Sequence, residues 1–158
     1  MGTILDLKNI NQIGKTQRNN KILVLVGGCF DILHKGHIEF LKKAKEKGQL
    51  LAVLLEHDKR IKELKGEDRP INTQEERALI LSNLSMIDYV IPLQHIKKDK
   101  EYEDLVKKIQ PDIIAVTAGN TIFEWEKKYS QNKNIEIVEV IKPIPDYSTT
   151  NIIKKARV

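Results

Sequence analysis

Five short, almost purely apolar runs recur along this chain, and longer amphipathic stretches separate them. The runs are residues 22–26, Leu50–Leu55, 89–91, 113–116 and 135–140. β-branched residues and leucine dominate them, and Gly27-Gly28 or Pro92 closes two of them. Runs of this length read as strands buried on both faces. The stretches between them have helical spacing. In residues 36–47, Ile38, Leu41 and Ala44 share one side, and Gly48 is placed as a C-cap glycine. Thr73-Gln-Glu-Glu76 forms a capping box ahead of Ala78, Leu81 and Leu84. Residues 102–109 read as helix. Thr121-Ile-Phe-Glu124 is a second capping box, opening a helix to about Asn132. Residues 148–157 form a last helix after Pro143 and Pro145.

Strands alternating with helices imply βαβ units with right-handed crossovers. The expected fold is α/β: a Rossmann-like, doubly wound, parallel five-stranded sheet with helices on both faces. A length of 158 residues suits one domain at roughly 100–200 residues per domain. Residues 1–20 are expected to be a polar lead-in. In such sheets ligands sit beyond the carboxyl ends of the strands. That selects segments 27–37, 56–69, 117–121 and 143–150.

Composition removes several other classes. No apolar run approaches the ~20 residues a bilayer requires. The first residues lack the charged start and apolar stretch of a signal peptide, and Asp6 stands where a myristoylation signal has Ser or Thr. The lone Cys29 has no internal disulfide partner, and four scattered histidines make no zinc-finger spacing. A cytoplasmic protein is expected. The net charge of +5 suits anionic partners in general. Its lysines are spread over several helices without a basic stripe, so nucleic acid is not expected as a partner, nor is a membrane.

The exit of the first strand carries the most chemistry. It is neither a Walker A loop nor a Gly-x-Gly-x-x-Gly fingerprint. It places His34 and His37 three apart at a helix entrance, on one face, with Gly36 allowing close backbone approach. The free N–H groups and positive dipole end of the helix add to this. Such an arrangement suits a polyphosphate. The plainer alternative is that the two histidines only cap and fill a helix start. No Ser/His/Asp elbow or paired-cysteine motif is present.

The segment Gly28-Cys-Phe-Asp-Ile-Leu-His-Lys-Gly-His37 resembles the signature of the cytidylyltransferase-like nucleotidyltransferase superfamily. Lys65-Gly-Glu-Asp-Arg-Pro-Ile-Asn72, followed by Glu75-Glu-Arg77, is similar to the adenylyltransferase domain that makes ADP-heptose. Ser148-Thr-Thr-Asn-Ile-Ile153 resembles the start of the last helix in the same superfamily. The three motifs lie in order over residues 21–156. The resemblance implies that His34, His37 and Lys65 are catalytic and stabilise charge on the phosphates. It implies a nucleotide site built from Gly28, Cys29, Phe30, Gly36, Gly119, Asn120, Ser148, Thr149 and Thr150. Asp58 and Arg77 would face the acceptor, Mg²⁺ would ride on the phosphates without protein ligands of its own, and the enzyme would be a homodimer.

The implied reaction moves a nucleoside monophosphate from an NTP to a phosphorylated small molecule, releasing pyrophosphate. ATP and D-glycero-β-D-manno-heptose 1-phosphate are the first expectation. The alternatives are CTP with glycerol 3-phosphate or another polyol phosphate or phosphonate, ATP with FMN, and a nucleotide- or nucleic-acid-binding module without turnover. A phosphomonoester with a second pKa of about 6 is anionic at neutral pH. It needs alignment and charge cancellation rather than a general base.

Some features depart from the resemblance or read plainly without it. Thr117-Ala-Gly-Asn120 has Gly119 but lacks the lysine and acid common at that loop. Asp146-Tyr147 stands where an arginine is common, and Lys154 or Arg157 could compensate. The sugar-kinase half fused to some ADP-heptose enzymes is not among these residues, so a stand-alone enzyme is expected. Taken singly, Lys65 and Arg77 read as solvated charges, residues 148–150 as an N-cap and Cys29 as a small packed residue. Phe123, Trp125 and Tyr129 read as core or a subunit contact. His57 and His95 suggest no pattern.

Overall fold

The computed structural model describes residues 1–119, 135–145 and 147–156. Six strands form one wholly parallel sheet: β1 (Thr3–Ile4), β2 (Leu23–Gly28), β3 (Leu50–Leu55), β4 (Tyr89–Pro92), β5 (Ile113–Thr117) and β6 (Glu136–Ile141). Their spatial order is β1-β4-β3-β2-β5-β6. The helices are α1 (Lys35–Lys45), α2 (Asp58–Lys65), α3 (Gln74–Ser82), α4 (Asp99–Ile109) and α5 (Thr149–Ala156), with a 3₁₀ segment at Leu7–Ile13.

The strands alternate between two cores. Leu23 and Leu25 of β2 join a cluster with Tyr102, Leu105, Val106 and Ile109 of α4. Val24 and Val26 face the other side, with Phe40, Leu41 and Ala44 of α1 and Ala78 and Leu81 of α3. Helices cover both faces, so both side-chain sets of β2 are apolar and the run is continuous. The Thr73–Glu76 capping box is present, Glu76 Oε2 accepting from the Thr73 amide at 2.8 Å and Thr73 Oγ1 accepting from the Glu76 amide at 3.3 Å.

The structure corrects the sequence reading in several places. The sheet has six strands rather than five. β1 is only two residues long and exposed, and it exists because its edge pairs with Tyr89 and Val90. Helix α2 was not expected. Only Ile61 of it is buried, and the His57 ring caps it by accepting the Lys59 amide. Gly48 does not close α1 through a left-handed turn. A β-carbon there would lie 2.7 Å from the Ile22 carbonyl oxygen, so the glycine serves close approach. The expected helix over 121–132, with its capping box, lies outside the described residues, as do Phe123, Trp125, Tyr129 and Arg157.

The segment ahead of β2 is also more than a lead-in. Ile10 and Ile13 are buried, and so is Arg18. The Arg18 guanidinium donates to the carbonyls of Ile13 and Gln110 and pairs with Asp112 at 2.8 Å. Asp112 also accepts the first amide of β2, from Leu23, at 2.9 Å. One carboxylate thus fixes where β2 begins. Replacing Arg18 with Met removes the guanidinium from Asp112 and from four carbonyls, those of Ile13, Lys21, Ile109 and Gln110. The expected loss is about 2–4 kcal/mol, discounted because Asp112 is partly solvated. Urea unfolding checks this, and an unchanged midpoint would contradict it.

Candidate active site

β2 lies between β3 and β5. The chain leaves β2 toward β3 on one side and returns to β5 on the other, opening a crevice above the carboxyl ends of β2 and β5. A cleft of about 330 Å³ occupies it. Its floor is Gly27, Gly28 and residues 115–117, one wall is the start of α1, and the other is the loop from β6 to α5.

His34 occupies the N-cap position of α1 in an extended conformation, and its side chain makes no capping bond. His37 lies one turn in. The two rings stack, with centroids 3.8 Å apart and planes 22° apart, and Phe30 tilts against His37 at 5.1 Å. Nδ1 of each ring is enclosed and has no hydrogen-bond partner. Burial lowers the His34 pKa. Burial, reinforced by the neighbouring His34, brings His37 down to about 4 against a partial pull upward from the Ile32 backbone and Asp31. Both rings are therefore neutral near pH 7, each carrying one N–H and one bare nitrogen.

Two glycines make this geometry possible. Phe30 sits at φ 44°, a left-handed conformation that costs a non-glycine residue. It is held by packing onto Gly28, where a β-carbon would approach its ring to 2.8 Å. A β-carbon on Gly36 would meet the His34 ring at 3.0 Å and the Tyr147 carbonyl oxygen at 3.3 Å. Gly36 therefore brings the start of α1 against the segment that opens α5. There Ser148 Oγ accepts from the Asn151 amide at 3.2 Å as a helix cap, and Thr149 Oγ1 reaches the Ile32 carbonyl at 3.5 Å.

The structure brings together His34, His37, Gly28, Cys29, Phe30, Gly36 and Ser148 around the cleft. Thr149 flanks it, while Thr150 is exposed on α5. Burial raises the Cys29 thiol, so it is not a thiolate. Lys65 is exposed in the last turn of α2 and does not line the cleft; its charge registers only at Cys29. Gly119 has φ 72° and also lies off the lining. Asn120 lies outside the described residues.

Arg77 and Asp58 were expected to face the acceptor. Arg77 is 1% exposed. Its guanidinium donates to the carbonyls of Cys29, Glu56 and Asn72 and to Asp58 Oδ1 at 2.6 Å. The other Asp58 oxygen accepts the Gln74 amide. Both side chains are committed to holding strand ends in place.

Sequence reasoning missed a second clamp. Asp31 is buried and accepts from Arg69 Nε at 2.6 Å and from the amides of Ile71 and Asn72. Asn72 Nδ2 in turn donates to the Asp31 carbonyl. Those amide bonds and Arg69 outweigh burial and hold the Asp31 carboxyl below its usual range. Asp31 therefore ties the first motif to the second. Opposite charges inside both motifs were the available signal. Lys142 and Tyr147, also in the lining, were not singled out.

Among the described residues, no Asp or Glu lines the cleft. Among the described residues, no three His, Cys, Asp or Glu side chains converge as a metal cage. This donor set fits a magnesium ion that stays on substrate phosphates with its own waters. Among the described residues, no helix is long and apolar enough to cross a membrane.

Residues 25–155 match the cytidylyltransferase-like family. The chain belongs to that family of nucleotidyltransferases. It is 37% identical over 149 residues to the bifunctional protein HldE of Campylobacter fetus, covering 94% of this chain and 31% of that protein. It is 39% identical over 153 residues to HldE of Wolinella succinogenes, covering 96% and 31%. The family domain described here thus spans about a third of the length of these curated relatives. Among solved structures, the lipopolysaccharide core biosynthesis protein from Thermoplasma volcanium is 29% identical with a TM-score of 0.66, covering 78% of this chain and 99% of that one. Pantoate-beta-alanine ligase from Francisella tularensis, solved with beta-gamma ATP and beta-alanine, has a TM-score of 0.65 over 99% of this chain and 77% of that one. At 15% identity it shares the fold alone.

The depressed histidines predict a pH signature for this family member. The unfolded chain takes up protons near pH 6.5, whereas folded His37 does so only near 4. The stability that neutral His37 carries is complete above about 6.5 and drains away as pH falls toward 4, by about 3 kcal/mol in all. His34 adds in the same direction. Urea titrations across this window check the slope, and His37→Gln is expected to flatten it.

Proposed function

We propose that this domain transfers a nucleoside monophosphate from a magnesium-bound NTP to the phosphate of a small-molecule acceptor. ATP is the proposed nucleotide and D-glycero-β-D-manno-heptose 1-phosphate the proposed acceptor. The observation that carries the reading is the stacked, neutral His34–His37 pair, its enclosed nitrogens unpartnered, at the helix entrance of a cytidylyltransferase-like cleft. Likeness to HldE along the length of this chain supports the choice of acceptor.

The chemistry needs no covalent intermediate. An acceptor phosphate oxygen attacks the α-phosphorus, one P–O bond forms, and the bond to the pyrophosphate oxygen breaks. The acceptor is already anionic, so no proton has to be removed from it. Charge gathers on the α-phosphoryl oxygens and the leaving oxygen. Neutral imidazole N–H groups donate to these without needing a proton of their own. The amino ends of α1 and α5 face the same cleft and add amide donors and favourable dipoles. Magnesium belongs to the nucleotide substrate and screens phosphate–phosphate repulsion. Arg77 and Asp31 act at a distance, by fixing the loops that carry the histidines.

His34→Ala and His37→Ala are each expected to lower kcat by about two to three orders of magnitude, as loss of one charge-stabilising donor does. Nucleotide affinity should change far less. Pyrophosphate release, measured for four NTPs against sugar, polyol and flavin phosphates, tests the substrates. Turnover with CTP and glycerol 3-phosphate would replace the proposed pair. Absence of turnover with every pair, together with tight RNA or DNA binding, would replace the enzyme reading itself.

A further inference from the structure

The cleft wall beside α5 includes a lysine, Lys142. Lys142 is the only Lys or Arg among the described residues lining the cleft. It is the first residue past β6, and its neighbour Ile141 pairs with Thr117 at the end of β5. The strand end therefore sets its backbone at the rim. Its side chain is exposed and has no hydrogen bond or ion pair among the described residues. Some lysines are held elsewhere, Lys45 by Asp88, Lys43 by Glu46 and Lys100 by Asp104; what sets Lys142 apart is its place in the cleft lining. Lys35, at the start of α1, lies over the Tyr147 ring.

The rest of the lining leaves charge to be cancelled. Its described residues include no carboxylate, and its two imidazoles are neutral near pH 7. Each phosphate group adds roughly one to two negative charges. Helix ends contribute only partial charges, so among the described lining residues Lys142 alone offers a polyphosphate a full positive charge. The loop from Lys142 to Ser148 is short, and its Tyr147 carbonyl abuts Gly36 beside His34. The ammonium, the start of α5 and the histidine pair therefore bound one volume.

We infer that Lys142 is a substrate-binding residue that pairs with the terminal phosphates of the nucleotide, and hence with the pyrophosphate that leaves. This rests on the nucleotidyltransferase reading given above. It extends that reading by assigning the outer-phosphate cation to the β6 exit rather than to Lys65 or Lys154.

The test uses the full chain with Lys142→Met, which keeps the aliphatic stem and removes the charge. Calorimetry measures binding of Mg-ATP, Mg-CTP, inorganic pyrophosphate and AMP, and a thermal melt checks the fold. Triphosphate and pyrophosphate affinities are expected to fall about tenfold, as loss of one charge-assisted contact does. AMP affinity should stay within about twofold and Lys142→Arg should restore the triphosphate to within about threefold of wild type, both far less than that tenfold step. Unchanged triphosphate binding in Lys142→Met overturns the inference and leaves the enzyme reading standing. So does an equal loss for AMP, which would put the ammonium on the base, ribose or α-phosphate. Wild-type protein that binds neither triphosphate nor pyrophosphate overturns both.

Discussion

The buried guanidinium of Arg77 sets where the active-site loops begin. It gathers carbonyls from Cys29, just past β2, from Glu56, just past β3, and from Asn72, just before α3. Parallel strands hydrogen-bond through their own length, but the turns beyond them have no ladder to satisfy their carbonyls. Arg77 provides five donors in a fixed fork and meets that need from within a helix. Asp58 completes the arrangement by neutralising the charge, which burial would otherwise make costly. Without this hub the exits of β2 and β3 would have no common reference, and the histidines would have no defined place.

The site itself has an unusual charge distribution. Among the described residues, its two most distinctive side chains carry no charge, the nearby Asp31 and Asp58 are turned into structural clamps, and Lys142 stands in the lining. Asp31 and Asp58 are both spent on arginines and backbone amides. The described lining then holds no negative side chain that would repel an anionic ligand. Attraction comes from many partial charges already oriented by the fold, and such charges require no reorganisation when the reaction occurs.

Much of the fold was legible because doubly covered strands leave a simple trace. Leu50–Leu55 is buried on both sides and read true to the residue. α2 left no such trace, since seven of its eight residues face solvent or the loops and only Ile61 enters the core. β1 was invisible for another reason: its two residues become a strand only through an edge that β4 offers. At the site, the three-residue spacing of His34 and His37 carried its own geometry. Arg77 could not be read this way. On a helix beside Glu75 and Glu76 it looks solvated, and its carbonyl partners lie 5, 21 and 48 positions away. Lys142, one lysine in a basic chain, is distinguished only by where a strand ends.

α5 has no buried residue. What anchors it is its first turn: the Ser148 cap, the long Thr149 contact to Ile32, and the close pass of Tyr147 by Gly36. A segment with so little apolar burial sits at the low end of the local stability range. Anything that bridges its amino end to α1 adds to its hold on the body through mass action. A ligand seated across the crevice would thus act as mortar for the first turn of α5, and amide exchange along that helix would slow when the crevice fills.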